Sequence, residues 1–508
     1  MESHVQVLKF GGTSVSNGER IRGVAEIIAR TRRDPDEAFP AVVVSAMAKV
    51  TDHLLRIAHL TISGDDEARA RAVESLRYRH FEAAEQAVSQ RTGRRVLRRD
   101  LEAVFAGLDG AIDALRAFAQ EQVSSAYDLA LLTVAIASCG ERLSVLLVAA
   151  AVRDMGLEAV PVGAEVIITA MPGADVPHSA SQVIGADPLS EETRANAQRL
   201  VHPLIERGIV PIMAGFIGRT SDGVITTLGR NGSDYSASVI GAALDCVEVS
   251  IYSDVDGVLS ADPRLVTNAR LLTRLTYAEA ARLSWFGAKV LHPRTLIPIA
   301  QRHIPVRVRN TFNPHMRGTL VGPDGRQPSG AAAISIRRRL ALITVESADL
   351  FGAPENAGQV FALAARAGAA PVAICSSSGQ HLSFVVEEQA AASVVALLQH
   401  EMRTLGADGQ PEWRVKSRGG LAACACIGSG FTADPMSPAR AITALARERI
   451  PLITQGASEL GIVLIIEDRD SERALRSLHR DLIAPVIPLV RSARTVQEKR
   501  RDRSAIGE

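Results

Sequence analysis

Short runs of β-branched residues alternate with longer stretches rich in Ala, Leu and Arg, from the first residues to about residue 320. Neighbouring parallel strands need long crossover connections, so this alternation predicts an α/β fold, a mainly parallel central sheet with helices on both faces. The stretch 67–121 is rich in helix formers and predicts a helical insertion. The predicted strands span residues 4–10, 41–45, 209–214, 247–253 and 304–309.

The pattern changes after residue 322. Residues 322–330 read Gly-Pro-Asp-Gly-Arg-Gln-Pro-Ser-Gly, a composition typical of a linker. Two weakly similar units follow, each a strand, a loop, a helix and two strands, which predicts two α+β domains. The expected organisation is a first domain at 1–323, a linker at 324–336, α+β units at 337–412 and 413–495, and a basic tail at 496–508.

The composition narrows the classes of function. A chain of 508 residues is long enough for about three domains. With 57 basic against 56 acidic residues, the chain has no overall field to attract nucleic acid or an anionic membrane. The five scattered cysteines have no zinc-ligand spacing and are expected to be reduced thiols, and no uninterrupted apolar run reaches the roughly 18 residues of a membrane span. A cytoplasmic enzyme is the expectation.

A first candidate site is the segment Lys-Phe-Gly-Gly-Thr-Ser-Val at 9–15, where a predicted strand ends. Adjacent glycines let the backbone approach an anion closely, and Lys9 adds a positive charge at the same place. Ser16 and Glu19 have the spacing of a capping box for the following helix. The Gly-Gly pair alone is equally consistent with an ordinary turn, and the segment is not a P-loop.

A second Gly-rich segment, Thr-Leu-Gly-Arg-Asn-Gly-Ser-Asp-Tyr-Ser at 227–236, precedes an apolar helix. It combines a guanidinium suited to carboxylate recognition with hydroxyls and one carboxylate. Asp234 by itself is consistent with a helix N-cap. The density of functional groups in one short loop favours a binding loop.

Seven segments occur in the order and spacing of one enzyme family. They are 9–15, 43–52, 140–142, 215–218, 228–236, 254–258 with 262–264, and 286–293. Together they resemble the aspartate kinases, and the Arg-Asn-Gly-Ser-Asp form of the second loop is similar to the kinase half of the bifunctional aspartate kinase/homoserine dehydrogenases. The resemblance runs from about residue 5 to about 495; it implies an amino-acid-kinase fold and a monofunctional enzyme.

The resemblance also implies a reaction and its residues. ATP, accompanied by Mg²⁺, would phosphorylate the side-chain carboxylate of L-aspartate to 4-phospho-L-aspartate, the first step of the lysine, threonine and methionine branch. That carboxylate is already ionised at neutral pH, so no catalytic base and no protein metal cage are expected. The implied catalytic residues are Lys9, Asp234 and Lys289. The implied nucleotide-binding residues are Lys9, Gly11, Gly12, Ser253, Asp254, Arg264, Lys289 and Val290. The implied aspartate-binding residues are Thr51, Glu141, Arg230 and Ser233.

The two C-terminal units resemble ACT domains, which implies sensing of an amino-acid effector such as lysine or threonine, and a homodimer or homotetramer formed through them. The effector loop would be 353–358, facing a strand end at 373–378. There the first unit has Cys375, whereas the second unit has Ile-Thr-Gln-Gly-Ala-Ser-Glu at 453–459. The units could instead serve only as a dimer interface. Two other functions stay open: another amino-acid-superfamily carboxylate kinase, and a catalytically silent amino-acid sensor.

Overall fold

The computed structural model describes residues 4–121, 125–170, 179–288, 291–324, 331–347, 357–377, 381–402, 413–431 and 434–483. The strands of the first domain are β1 (Val5–Phe10), β2 (Phe39–Val44), β3 (Ala159–Val162), β4 (Val210–Ala214), β5 (Ile217–Arg219), β6 (Ile225–Thr227), β7 (Glu248–Ser253), β8 (Arg274–Thr276), β9 (Val306–Asn310) and β10 (Thr319–Gly322). All five predicted strands are confirmed.

Eight of these strands form one sheet in the order β3-β4-β2-β1-β7-β9-β10-β8, and β5 and β6 form a separate hairpin. Pairing is parallel throughout the sheet except between β9 and β10. The central strand β1 is buried along its whole length. Its side chains alternate between two cores, Leu8 and Phe10 on one face and Val5 and Val7 on the other, as a sheet covered on both faces requires.

Helices cover both faces of this sheet. They are α1 (Gly18–Arg33), α2 (Val50–Ser63), α3 (Asp66–Ala87), α4 (Arg91–Gln120), α5 (Ala126–Ala137), α6 (Cys139–Asp154), α7 (Ser190–Leu200), α8 (His202–Glu206), α9 (Gly232–Ala243), α10 (Tyr277–Trp285) and α11 (Pro293–Ala300), with 3-10 turns at Ala164–Val166 and Ala180–Gln182. Helices α3 and α4 confirm the predicted helical insertion at 67–121.

The start of α1 corrects one prediction. The helix begins at Gly18, and the side chain of Asn17, rather than that of Ser16, accepts the backbone N–H of Arg20 at 3.0 Å. The Ser16 carbonyl instead accepts a hydrogen bond from Arg79 of α3 at 3.1 Å. The predicted capping box at Ser16 and Glu19 is therefore wrong, because the turn after β1 is longer than its spacing assumed.

The expected absence of a long apolar segment also needs a correction. The helical stretch Ala126–Asp154, which comprises α5 and α6, is long and apolar enough to cross a membrane by length and composition. About two-thirds of its most apolar window, 67%, is buried inside the protein. Helix α6 packs on α1, α4 and the sheet, as a core helix does.

A second, antiparallel sheet follows with the strand order β12-β13-β11-β14-β16-β15. Its elements are β11 (Ala333–Ser347), α12 (Ala357–Arg366), β12 (Ala373–Ser377), β13 (His381–Glu387), α13 (Glu388–Glu401), β14 (Trp413–Ile427), α14 (Met436–Arg447), β15 (Thr454–Ser458), β16 (Gly461–Glu467), a 3-10 turn at Asp468–Asp470, and α15 (Ser471–Leu482). Both predicted strand, helix, strand, strand units are present.

The two units interlock through their longest strands. The first half of β11, from Ala333 to Arg337, pairs with the end of β14, whereas its second half pairs with β13 and with the start of β14. Each unit has three strands of its own, and part of the long strand of the other unit adds a fourth. The linker predicted at 324–336 is too long by four residues, because 333–336 already belong to β11. Residues 325–330, 403–412 and 484–508 lie outside the described residues, so the other predicted boundaries stay predictions.

Candidate active site

Four of the segments singled out in the sequence meet at one edge of the parallel sheet. Phe10 lies beside Val44 on one side and beside Tyr252 on the other, and Val44 lies beside Ala214. The strands β1, β2, β4 and β7 therefore end next to one another. The carboxyl edge of an open parallel sheet is where α/β proteins bind ligands.

Lys9 and Asp234 form an ion pair at this edge. Lys9 Nζ lies 2.5 Å from Asp234 Oδ1, and their side chains are 9% and 20% exposed. Lys9 belongs to β1, and Asp234 lies in the first turn of α9. The structure thus brings together two of the three predicted catalytic residues, whereas Lys289 lies outside the described residues, as does Val290.

The Gly-Gly turn touches the loop after β2. A Cβ atom on Gly12 would lie 2.9 Å from the carbonyl oxygen of Ala46, so only glycine allows this approach. A Cβ atom on Gly11 would lie 3.4 Å from Lys9 Nζ. Gly11 therefore borders the ammonium, and its N–H, which the resemblance assigns to phosphate, donates to the Tyr252 carbonyl at 3.3 Å.

Glu141 is buried in the first turn of α6, on the far side of the same loop. Its Oε1 accepts the backbone N–H of Ala46 at 3.2 Å, and its Oε2 is buried without a hydrogen-bond partner. Burial raises the pKa of Glu141 to about 8, and the hydrogen bond from Ala46 opposes this shift only in part. A buried carboxylate oxygen with no partner is suited to receive an ammonium group.

The second Gly-rich loop packs against the end of β4. A Cβ atom on Gly215 would lie 2.8 Å from the Ser233 side chain, and the N–H of Phe216 donates to Ser236 Oγ at 2.9 Å. Phe216 has a φ of 65°, which is strained for an aromatic residue and is the kind of outlier that accumulates at binding sites. Ser233 is buried in this contact, and Arg230 is exposed at the tip of the loop.

The other predicted binding residues lie on elements that border this edge. Thr51 is in the first turn of α2, directly after the loop that follows β2. Ser253 ends β7, and Asp254 follows it as an exposed carboxylate. Arg264 is exposed and paired with Asp262 at 2.6 Å. Arg264, like Lys9, is thus a predicted nucleotide-binding side chain that already pairs with a carboxylate.

Arg294 is a residue of the site region that the sequence analysis missed. Its guanidinium pairs with Asp187 at 2.5 Å, donates to the carbonyl of Leu228 at 3.3 Å, and lies 4.7 Å from the ring centroid of Tyr235. It therefore ties α11 to both ends of the loop that carries Arg230. Its position directly after the His-Pro pair at 292–293 was the available sequence signal.

The antiparallel sheet of the two C-terminal units (the C-terminal sheet) contacts the first domain near the segments that the resemblance assigns to the nucleotide. Ser335 Oγ donates to the carbonyl of Phe286 at 2.8 Å, and the N–H of Ile334 donates to the carbonyl of Ser260 at 2.8 Å. Glu279 of α10 accepts the N–H of Ser429 at 2.8 Å. The first half of β11 thus contacts Ser260, between the segments 254–258 and 262–264, and Phe286, the first residue of the segment 286–293, which no sequence motif indicated.

Comparison with known proteins gives this edge a family. The sequence matches the Amino acid kinase family over residues 4–310, more than half of the chain and the whole parallel sheet except its last strand. The chain belongs to the amino acid kinase family. Residues 425–482 match the ACT domain, so this amino acid kinase carries an ACT domain in its second C-terminal unit.

Among relatives of this amino acid kinase is the chloroplastic bifunctional aspartokinase/homoserine dehydrogenase 1 of Zea mays, 32% identical over 481 residues. The match covers 93% of this chain and 50% of the relative, so the chain spans about half the length of that protein.

Two solved structures of E. coli aspartokinase III have the same fold. The R-state complex with aspartate and ADP has a TM-score of 0.74, and the T-state complex with lysine and aspartate has a TM-score of 0.71. Both are 27% identical to this amino acid kinase and cover 95% of it and 100% of their own chains.

Proposed function

We propose that this chain is an aspartate kinase, which transfers the γ-phosphoryl group of ATP to the side-chain carboxylate of L-aspartate. The observation that carries the proposal is the contact path from Glu141 to Asp234. Glu141 binds the Ala46 backbone, Ala46 meets Gly12, and Lys9 meets both Gly11 and Asp234. A short series of contacts therefore connects an ammonium acceptor, Glu141, with an anchored lysine, Lys9.

The two reactants are both anions, so their repulsion is the first barrier to the reaction. Lys9 supplies a positive charge held in place by Asp234, which stabilises negative charge on the phosphoryl group in the transition state. Glu141 would bind the α-ammonium group and Arg230 the α-carboxylate, with Thr51 and Ser233 as hydroxyl donors. The nucleophile is a carboxylate that is already ionised at neutral pH, so these residues have to position it but need not remove a proton from it.

The donor set also fits a nucleotide that arrives with Mg²⁺. The described residues contain no cluster of three or more His, Cys, Asp or Glu side chains that could hold a metal by themselves. Exposed Asp254, next to the end of β7, is the carboxylate best placed to assist, while phosphate oxygens and water would complete the coordination. When bound, the ion would neutralise phosphate charge, and Lys9 would act on the transferring group.

The tandem C-terminal units support amino-acid regulation and assembly as part of the proposal. Lysine or threonine is the proposed effector, and a homodimer or homotetramer through these units is the proposed assembly. The proposed effector loop at 353–358 lies outside the described residues except for its last two, which begin α12. A cytoplasmic location stays a prediction.

An assay of acyl phosphate formation tests the function directly. Purified full-length protein with ATP, Mg²⁺ and hydroxylamine should form a hydroxamate with L-aspartate and far less with L-glutamate or N-acetylglutamate. An acetylated amine cannot pair with Glu141, which is the reason for the last comparison. A preference for N-acetylglutamate would favour another carboxylate kinase, and inactivity with every acid would favour a silent sensor.

Replacement of Arg294 should raise the KM for aspartate. The variant Arg294→Lys keeps the charge but cannot bind Asp187 and Leu228 as a fork, so we expect a KM for aspartate roughly 10-fold higher with a smaller change in the KM for ATP. Steady-state kinetics measure both constants.

The control for Arg294 is Arg302→Lys, because Arg302 is a nearby arginine of similar exposure. It pairs with Asp245 at a distance of 2.7 Å, and none of its ion pairs among the described residues involves the loop at 228–236. Equal kinetics of the two variants would contradict a positioning role for Arg294.

A further inference from the structure

A cavity of about 440 Å³ lies between the kinase domain and the C-terminal sheet. One wall is α10 with Phe286 after it and Pro293 at the start of α11, and the other wall is formed by β12, β15 and β16 with residues that flank them. This volume lies in the range of small-molecule sites. None of Lys9, Glu141 and Asp234 lines the cavity, whereas Phe286 and Pro293, the two ends of the segment 286–293, do.

The walls are mostly apolar and carry large apolar side chains that are only partly covered by the rest of the protein. Trp285 is 41% exposed and Ile374 is 56% exposed, and both line the cavity. The indole of Trp285 is held in place, because its Nε1–H donates to the carbonyl of Val372 at 3.0 Å. Covering such surfaces with an apolar ligand removes them from water and is favourable.

Arg282 is the one charged side chain among the residues that line the cavity. Its Nε is buried and has no hydrogen-bond partner, and none of the ion pairs among the described residues involves it. Burial lowers the pKa of Arg282, with no carboxylate to oppose the effect. A partly buried guanidinium without a counter-ion is unfavourable, and a carboxylate is the group that matches its geometry.

The same lining disfavours a ligand with an ammonium group. No Asp or Glu side chain lines the cavity, so an ammonium would be desolvated there without a carboxylate partner. We propose that this cavity binds a small apolar monocarboxylate, an aliphatic or aromatic acid without an ammonium group, with its carboxylate on Arg282 and its body against Trp285 and Ile374. This ligand class differs from the amino acids proposed for the C-terminal units.

An occupant of this cavity would bridge the two domains. Helix α10 leads directly into the segment 286–293, whereas β12 and β15 are the two edge strands of the C-terminal sheet. A bound acid adds contacts to both walls and therefore stabilises the arrangement in which they face each other.

Fluorescence of Trp285 measures the binding. The chain has two tryptophans, Trp285 and Trp413, so the full-length variant Trp413→Phe reports on the cavity alone. Titration with 3-phenylpropanoate or 4-methylpentanoate should change its emission saturably. The neutral analogue 3-phenylpropanamide and the amino acid L-phenylalanine should each bind at least about 10-fold more weakly than 3-phenylpropanoate.

Variants on the same background test the role of the charge. Arg282→Met should weaken 3-phenylpropanoate binding by about 10-fold or more, whereas Arg274→Met, which removes an exposed arginine that does not line the cavity, should leave it unchanged. The proposal is overturned by an emission that does not respond to millimolar acid, or by equal binding of acid and amide to the unchanged protein. The second comparison needs no variant to fold, and neither depends on kinase activity.

Discussion

Replacing Lys9 by methionine should lower kcat by roughly 10²- to 10³-fold with L-aspartate and ATP, the largest loss expected from a single substitution in this chain. Methionine keeps the approximate length and the apolar contacts of the side chain but removes the ammonium group, which lies beside Gly11 and pairs with Asp234. The fold of β1 should persist, because the strand is buried on both faces by other side chains. Steady-state kinetics of the purified variant measure the effect.

The ion pair makes the Lys9 experiment specific. In Lys9→Met alone, the Asp234 carboxylate, 20% exposed, loses the one cation that pairs with it among the described residues, which should destabilise the protein by roughly 3 kcal/mol. The double variant with Asp234→Asn should regain most of that stability in a denaturant titration and regain no activity. Lys416→Met is the control, since Lys416 is an exposed lysine that pairs with Glu346 in the C-terminal sheet. Full turnover by Lys9→Met would end the proposed role of this lysine.

Replacing Glu141 by glutamine should raise the KM for L-aspartate by roughly 10- to 100-fold, because an amide cannot neutralise the α-ammonium group. The KM for ATP should change little. In the parent enzyme the pKa of about 8 means that Glu141 is mostly protonated at pH 6 and must lose its proton to bind the ammonium. The KM for aspartate should therefore fall as pH rises from 6 toward 8 and level off above 8, and Glu141→Gln should lose this dependence.

The stability of the folded protein should decrease with rising pH, whereas its affinity for aspartate should increase. The unfolded chain releases the Glu141 proton near pH 4.5, whereas the folded protein holds it until about pH 8. Between these values the folded state binds more protons, so the free energy of unfolding should fall with rising pH, by an amount on the order of a few kcal/mol. Glu141→Gln should remove this decline in denaturant titrations at pH 5 and 8.

Glu279→Gln is the matched control for Glu141, because Glu279 is also a buried glutamate but both of its carboxylate oxygens accept backbone N–H groups, from Thr276 and Ser429. Its KM for aspartate should match that of the parent enzyme. A KM for aspartate that stays unchanged in Glu141→Gln would mean that the ammonium binds elsewhere.

Much of the kinase domain was predictable because its signals are local. The buried parallel strands are continuous apolar runs, so their positions follow from a few neighbouring residues, as for Val5–Phe10 and Val210–Ala214. The rule that parallel strands end at one edge then places Gly11 and Ser253 side by side. The start of α1 was missed because Ser16 and Asn17 are both capping residues, and only the length of the preceding turn decides between them.

The sequence by itself determined five strands of the parallel sheet, the helical insertion, the two C-terminal units and the residue types of the site, because these depend on side chains close along the chain. Only the tertiary structure decided that Lys9 meets Asp234, that Glu141 is buried with one free oxygen, and that Arg294 holds the loop of Arg230. The tertiary structure also decided that β11 and β14 each extend into the other C-terminal unit. Each depends on groups far apart in sequence whose distance, burial and partners are set by the packing of the whole chain.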